Sequence, residues 1–227
     1  MPPRALEPAG VALVDKPAGP SSFAVVAQIR RLTGARTGHA GTLDPFATGL
    51  LLLLSGRATR IASCLVGLDK RYTTEIDLTG WTSTGDPEGE IVESFEPPAE
   101  AELEQRLAAL RGEIELPIPA ASAVKIGGER AYRLARRGVE VEMPLRRSTV
   151  HALDVIAYTG DAVTLDLRVS SGTYVRAIAT ALGGHCRTLR RTEVGPFDVA
   201  DAVVPEAFEV SCLLPEADVL ARIGVSS

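Results

Sequence analysis

A chain of 227 residues with 45% hydrophobic and 23% charged side chains can close a core without disulfides or structural metal. Its longest apolar run, residues 50–54, is far short of the about 20 residues a membrane span needs, and residues 1–10 hold no secretory-type apolar run. Taken whole, 24 basic against 29 acidic residues, net −5, argue against a nucleic-acid partner. The three cysteines, Cys64, Cys186 and Cys212, are odd in number and lack metal-ligand spacing. They read as structural thiols in a reducing compartment, so a cytoplasmic location is expected.

The first strand signal is residues 10–14, ending in the turn Asp15-Lys16-Pro17-Ala18-Gly19. Ser21 or Ser22 then caps a helix with Val25, Val26, Ile29 and Leu32 on one face. Residues 34–49 read as a loop rich in Gly and Thr. Residues 50–54 fit a strand or a buried helix turn, and 57–66 fit a helix. Tyr72, Thr74, Ile76 and Leu78 alternate with polar residues, a half-buried strand. Leu103, Leu107 and Leu110 give a helix stripe, with Pro117 and Pro119 breaking the chain after it. Val163, Leu165, Leu167 and Val169 alternate as the clearest strand, followed by Val175, Ile178, Ala179 and Leu182 at helix spacing. Strands and helices mix without a regular βαβ period, which predicts an α+β fold with a mostly antiparallel or mixed sheet.

The charge is unevenly placed. Residues 16–71 carry net +6, and 120–151 and 168–197 carry +4 each, whereas 86–119 carry −8 and 198–227 carry −5. Blocks this polarised predict a basic face, which reverses what the global charge implies. The densest basic cluster is Lys125, Arg130, Arg133, Arg136 and Arg137.

The chemistry concentrates in residues 38–50, Gly-His-Ala-Gly-Thr-Leu-Asp-Pro-Phe-Ala-Thr-Gly-Leu. The glycines allow close backbone approach to a ligand, and Pro45 stiffens the turn after Asp44. By itself the loop is equally consistent with an Asp that caps a turn, and a lone His39 is more often structural.

This run closely resembles the active-site motif of the TruB family, tRNA pseudouridine synthases acting on uridine 55 of the T loop. Further stretches match in order. They are Asp15-Lys16-Pro17-Ala18-Gly19 with Ser21-Ser22, then Lys70-Arg71-Tyr72 with Gly80 and Thr84-Gly85-Asp86. Ser122-Ala123-Val124-Lys125 follows with Gly128, Tyr132 and Arg136, then Gly172-Thr173-Tyr174-Val175-Arg176, then Leu189-Arg190-Arg191-Thr192 with Gly195-Pro196-Phe197. The resemblance spans about residues 10–198. It departs at Ser171, where family members commonly carry a Lys, and in a shortened stretch between Arg176 and Leu189.

The resemblance implies the pseudouridine synthase fold: a catalytic domain over 1–200, with a thumb-like RNA-contacting segment near 119–147. An acidic tail over 201–227 would follow, too short for a PUA domain. It implies an isomerase that flips its target base, breaks the N1–C1′ bond, and rejoins C5 to C1′, with no cofactor and no metal. Asp44 would be the essential carboxylate, as nucleophile at the sugar or base at C2′. Arg176 would pair with it, Tyr72 would stack on the uracil, and Tyr174 would stand at its edge. Leu189 would wall the pocket. His39, Lys16, Lys125, Arg130, Arg133, Arg136 and Arg137 would bear on the RNA. The expected partner of a monomeric protein is tRNA, with no membrane. An RNA-folding chaperone on the same scaffold is the alternative. A hydrolase using Asp44 and His39 is disfavoured, because no Ser or Cys nucleophile has a fitting motif.

Overall fold

The computed structural model describes residues 7–137, 139 and 141–225. In chain order it contains β1 (Gly10–Lys16), α1 (Ser22–Thr33), β2 (Thr37–Ala40), β3 (Thr48–Ser55), a 3-10 turn at Gly56–Ile61, α2 (Ala62–Val66) and β4 (Lys70–Asp77). There follow β5 (Gly80–Thr82), β6 (Ile91–Ser94), α3 (Glu100–Ala109), β7 (Gly112–Pro117), β8 (Lys125–Ile126), β9 (Glu129–Arg130) and α4 (Ala131–Arg136). The chain continues through β10 (Leu145–Tyr158), β11 (Ala162–Val169), α5 (Val175–Leu182), β12 (His185–Val194), β13 (Phe197–Asp198) and α6 (Glu216–Arg222). Contacts divide it into two compact units, one running to Tyr72 and resuming at Arg190, the other Thr73–Leu189. No helix among the described residues is long and apolar enough to cross a membrane.

The first unit is organised around β3. Seven of its eight residues are buried, which is why it reads as an unbroken apolar run rather than an alternation. β1 pairs antiparallel along one edge, from Gly10↔Ser55 to Lys16↔Gly49. The other edge is shared by β2, antiparallel from Thr37↔Ser55 to Ala40↔Leu52, and by β12, parallel at Arg190↔Thr48 and Arg191↔Gly49. Leu50, Leu52 and Leu54 pack into one cluster with Val11, Leu13, Ala40, Leu65, Phe197 and Val219. Gly49 is required at the parallel pairing. Its φ is +101°, and a Cβ there would stand 2.2 Å from the Arg191 carbonyl oxygen.

The segment expected as an acidic tail is folded onto β1. Val203 bridges Val14, Leu214 bridges Val11, and Val219 of α6 is wholly buried. The apolar residues spaced through it outweigh its charge in deciding where it goes.

The second unit is a sheet in the order β12–β4–β11–β10–β7. Lys70, Tyr72, Thr74 and Ile76 are the buried positions of β4, so the alternation read from sequence holds. α3 buries Leu103 and Leu107, and α5 buries six of its eight residues, all but Thr180 and Ala181. α5 stops at Gly183, whose left-handed conformation (φ 89°) lets its N–H close on Ala179 and Thr180 carbonyls.

Two expectations are corrected, and one strand went unread. Leu32 is 55% exposed, and Thr33 takes the inward position on α1. Residues 34–49 are not wholly loop, because β2 and the start of β3 lie within them. The fourteen-residue β10 has no period-2 signal, since two register shifts, at Val150/Ala152 and Val155/Ala157, break the alternation.

Candidate active site

Asp44 lies in the connection from β2 to β3, and both of its chain neighbours are pinned. Ser22, in the first turn of α1, donates its hydroxyl to the Leu43 carbonyl (2.8 Å) and accepts the Leu43 N–H (2.9 Å). Lys16, the last residue of β1, donates its ammonium to the carbonyls of Pro17 (2.8 Å) and Pro45 (3.1 Å). The Gly19 N–H also reaches the Pro45 carbonyl at 2.9 Å, and the Ala47 N–H closes a turn on Asp44 itself. The turn is therefore anchored from β1, from the β1–α1 connection and from α1. Such anchoring keeps a carboxylate in one place before any ligand arrives.

Arg191 of β12 ties the loop's two ends. It is 1% exposed, and its guanidinium donates to Leu50 (2.7 Å) and Gly41 (3.0 Å) carbonyls. Its charge acts on two neighbours. Burial first, and Arg191 second, hold the His39 imidazole below its ordinary pKa, so His39 is neutral at pH 7. Burial and Arg191 likewise push the Lys70 ammonium down to about 8. Lys70 is bonded to the Val66 and Leu68 carbonyls. His39 sits edge-on to Phe23, ring centroids 5.3 Å apart, and its buried Nδ1 has no hydrogen-bond partner among the described residues.

Of the residues expected from sequence, this unit carries Lys16, His39, Asp44 and Tyr72. Tyr72 is buried on the inward face of β4. Lys16, expected on the RNA, is corrected: it is wholly buried and braces the Asp44 turn, because the carbonyls around it replace water.

The second unit carries Tyr174, Arg176, Leu189 and the thumb-like segment. Tyr174 is the half-buried N-terminal flank of α5. Arg176 is 3% exposed and donates to the carbonyls of Thr84 (2.7 Å) and Ala121 (3.0 Å). It forms an ion pair with Asp86 at 3.4 Å, whose other oxygen accepts the Thr84 hydroxyl and the Glu88 N–H. A groove of about 360 Å³, lined among others by Thr84, Leu116, Pro119 and Arg176, opens beside this pair. Leu189 is buried in β12. Lys125, Arg130, Arg133 and Arg137 are exposed, and Arg137 is paired with Glu129 at 2.8 Å. Arg136 ends α4, and its side chain lies outside the described residues.

Ion pairs temper the charge blocks. Arg60 pairs with Glu216, Arg71 with Glu193 and Arg190 with Asp15 in the first unit. Arg187 pairs with Glu75, Asp77 and Asp161 in the second. The guanidinium groups of Arg30, Arg31, Arg36 and Arg57 have no partner among the described residues and are exposed. Sequence reasoning missed Ser22 as a loop clamp, Asp86 as the partner of Arg176, and the burial of Arg191. Ser22 carried a signal, since it adjoins the cap and faces inward one position from it. The tandem arginines carried none, because pattern does not say which one turns inward.

Comparison with known proteins places this geometry. Residues 30–175 match the TruB family pseudouridylate synthase (N terminal domain). A tRNA pseudouridine synthase B of Leifsonia xyli subsp. xyli is 45% identical over 96% of this chain and 76% of its own. One of Bordetella avium is 40% identical over 93% of this chain and 91% of its own. Among solved structures, a chain of a Cbf5-Nop10-Gar1 complex superposes with a TM-score of 0.70 at 26% identity. That match covers 94% of this chain, which spans 62% of the solved one. A pseudouridylate synthase structure at 16% identity and a TM-score of 0.53 shares the fold alone.

Proposed function

Because the chain belongs to the TruB family of pseudouridylate synthases, we propose that it isomerises uridine 55 in the T loop of tRNA to pseudouridine, with Asp44 as the essential carboxylate. The observation that carries this reading is the turn that holds Asp44, braced at Leu43 by Ser22 and at Pro45 by Lys16. A positioned carboxylate is the group this reaction needs at the sugar. It serves either by attack at C1′ or by taking the proton at C2′ while the N1–C1′ bond breaks.

The remaining roles follow from side-chain chemistry. Tyr72 offers an aromatic face for the flipped uracil, and stacking of that kind is worth about 1–3 kcal/mol. Leu189 walls the pocket. Tyr174 stands at the uracil edge with a hydroxyl able to move a proton when C5 replaces N1 at C1′. Arg176 supplies positive charge to Asp44. His39 and the exposed cations Lys125, Arg130 and Arg133, with Arg136 and Arg137, meet the RNA backbone and offset the few kcal/mol that flipping costs. The protein works as a monomer in the cytoplasm, on tRNA and without a metal.

The test is Asp44→Asn. Pseudouridine mapped in tRNA by primer extension after carbodiimide treatment drops at least about a thousandfold, while tRNA affinity stays within about twofold of wild type. Normal turnover in that variant would sink the assignment.

A further inference from the structure

The first unit holds a second feature that the Asp44 turn does not use. Phe23 is 71% exposed, a conspicuous placement in a chain with only 4% aromatic residues. It is held edge-on against His39, at an interplanar angle of 79°. Beside it lies a groove of about 470 Å³ between α1 and β2, lined by Phe23, Val26, Ala27, Arg30, Thr37 and His39 with Gly38. Phe23, Ala27, Arg30 and Arg31 fall on one face of α1, and the helix contains no acidic residue. An exposed aromatic face next to unpaired cations is the combination that binds single-stranded nucleic acid.

We propose that this groove is a nucleotide subsite, in which Phe23 stacks on an unpaired base flanking the target uridine and Arg30 holds the phosphate. The proposal rests on the reading of this protein as an RNA-modifying enzyme, and it names which element grips the nucleotide next to the reacting one.

Two observations point to RNA rather than a peptide as the occupant. The rim carries positive charge only: Arg30 and Arg31 are exposed without partners among the described residues. The groove also belongs to the same anchored segment as the carboxylate. Asp44 is five residues on from His39, a stretch that spans at most about 17 Å, a few nucleotides of RNA.

The experiment uses the full-length protein and T-arm hairpin RNAs, each with one loop position other than the target made abasic. Affinity is measured by fluorescence anisotropy with wild type, Phe23→Ala, Phe23→Trp and Arg30→Ala. Phe23 is largely solvent-exposed, so Phe23→Ala melts with wild type. It binds the intact hairpin about tenfold more weakly, and Phe23→Trp regains the loss. At one loop position the abasic RNA costs wild type the same factor but costs Phe23→Ala nothing more, so the two losses do not add. Arg30→Ala lowers the slope of log affinity against log salt by about one. Equal affinity of wild type and Phe23→Ala, or losses that add at every loop position, overturns the subsite. Wild type failing to bind any hairpin overturns it too. Pseudouridine is mapped separately in the intact hairpin. Coupling at one position without pseudouridine would overturn the activity while upholding the subsite.

Discussion

The Ser22 hydroxyl closes both the N–H and the carbonyl of Leu43, 21 residues away, and so fixes the peptide on the N-terminal side of Asp44. Ser22→Ala strands two backbone groups of a residue that is only 3% exposed. The expected loss is about 1–3 kcal/mol in urea unfolding. Turnover falls further than stability suggests, by about a hundredfold, because the carboxylate is no longer held. Single-turnover rates at saturating RNA check this, with affinity for RNA unchanged. A variant that loses stability but keeps the wild-type rate would show that the clamp does not position Asp44.

Asp86 and Arg176 form a buried ion pair, so removing the carboxylate takes a charged partner from a buried guanidinium that keeps its bonds to the Thr84 and Ala121 carbonyls. Asp86→Ala is expected to cost about 3–5 kcal/mol. Replacing both residues, as Asp86→Leu with Arg176→Met, costs clearly less than the two single losses together. A double-mutant cycle by chemical denaturation measures the difference.

Lys70 gives a pH signature. Its pKa in the folded protein is about 8, against 10.5 in the unfolded chain. The folded state therefore binds fewer protons between these values, and stability rises as pH climbs from about 8 to about 10.5. As pH falls through 8, the folded protein must charge the buried ammonium and that contribution is lost. Lys70→Met removes this component, so the wild-type and variant stability curves diverge across that window. Parallel curves from pH 7 to pH 11 would refute the assignment.

Gly49 and Gly19 have nearly the same backbone twist, φ +101° and +102°, but different surroundings. A methyl group at Gly49 collides with the Arg191 backbone, whereas nothing lies within 4 Å of one at Gly19. Gly49→Ala is expected to cost about 3 kcal/mol or more, and Gly19→Ala about 1–2 kcal/mol from backbone strain alone. Thermal melts of the two variants separate the causes.

Much of the fold was legible where one face of an element decides its position. The alternation in β4 and β11 and the leucine stripe of α3 survive unchanged, because burial on one side imposes a period. β10 was not legible, since its bulges shift the inward face twice. The Asp44 loop could be read as a motif, but its bracing could not. Lys16 and Arg191 are cations by composition, and only the carbonyls that the fold gathers around them turn them inward. For the same reason the charge count over residues 16–71 overstated the surface charge. Two of its eight bases, Lys16 and Lys70, are buried, and Arg60 and Arg71 are paired with acids.

Arg191 reaches back 150 residues to Gly41, and β12 lies beside β3 in parallel register. The order of synthesis follows from that. The ribosome releases β1, α1 and the Asp44 turn early, then all of the second unit, and only afterwards the end of β12 that ties the turn's ends. A nascent chain can close the second unit first, because its partners are contiguous in sequence. The first unit must wait for contacts of very high sequence separation, which makes it the slow step of folding. Until Arg191 emerges, the turn lacks one of its fastenings, so catalytic competence arrives late in synthesis.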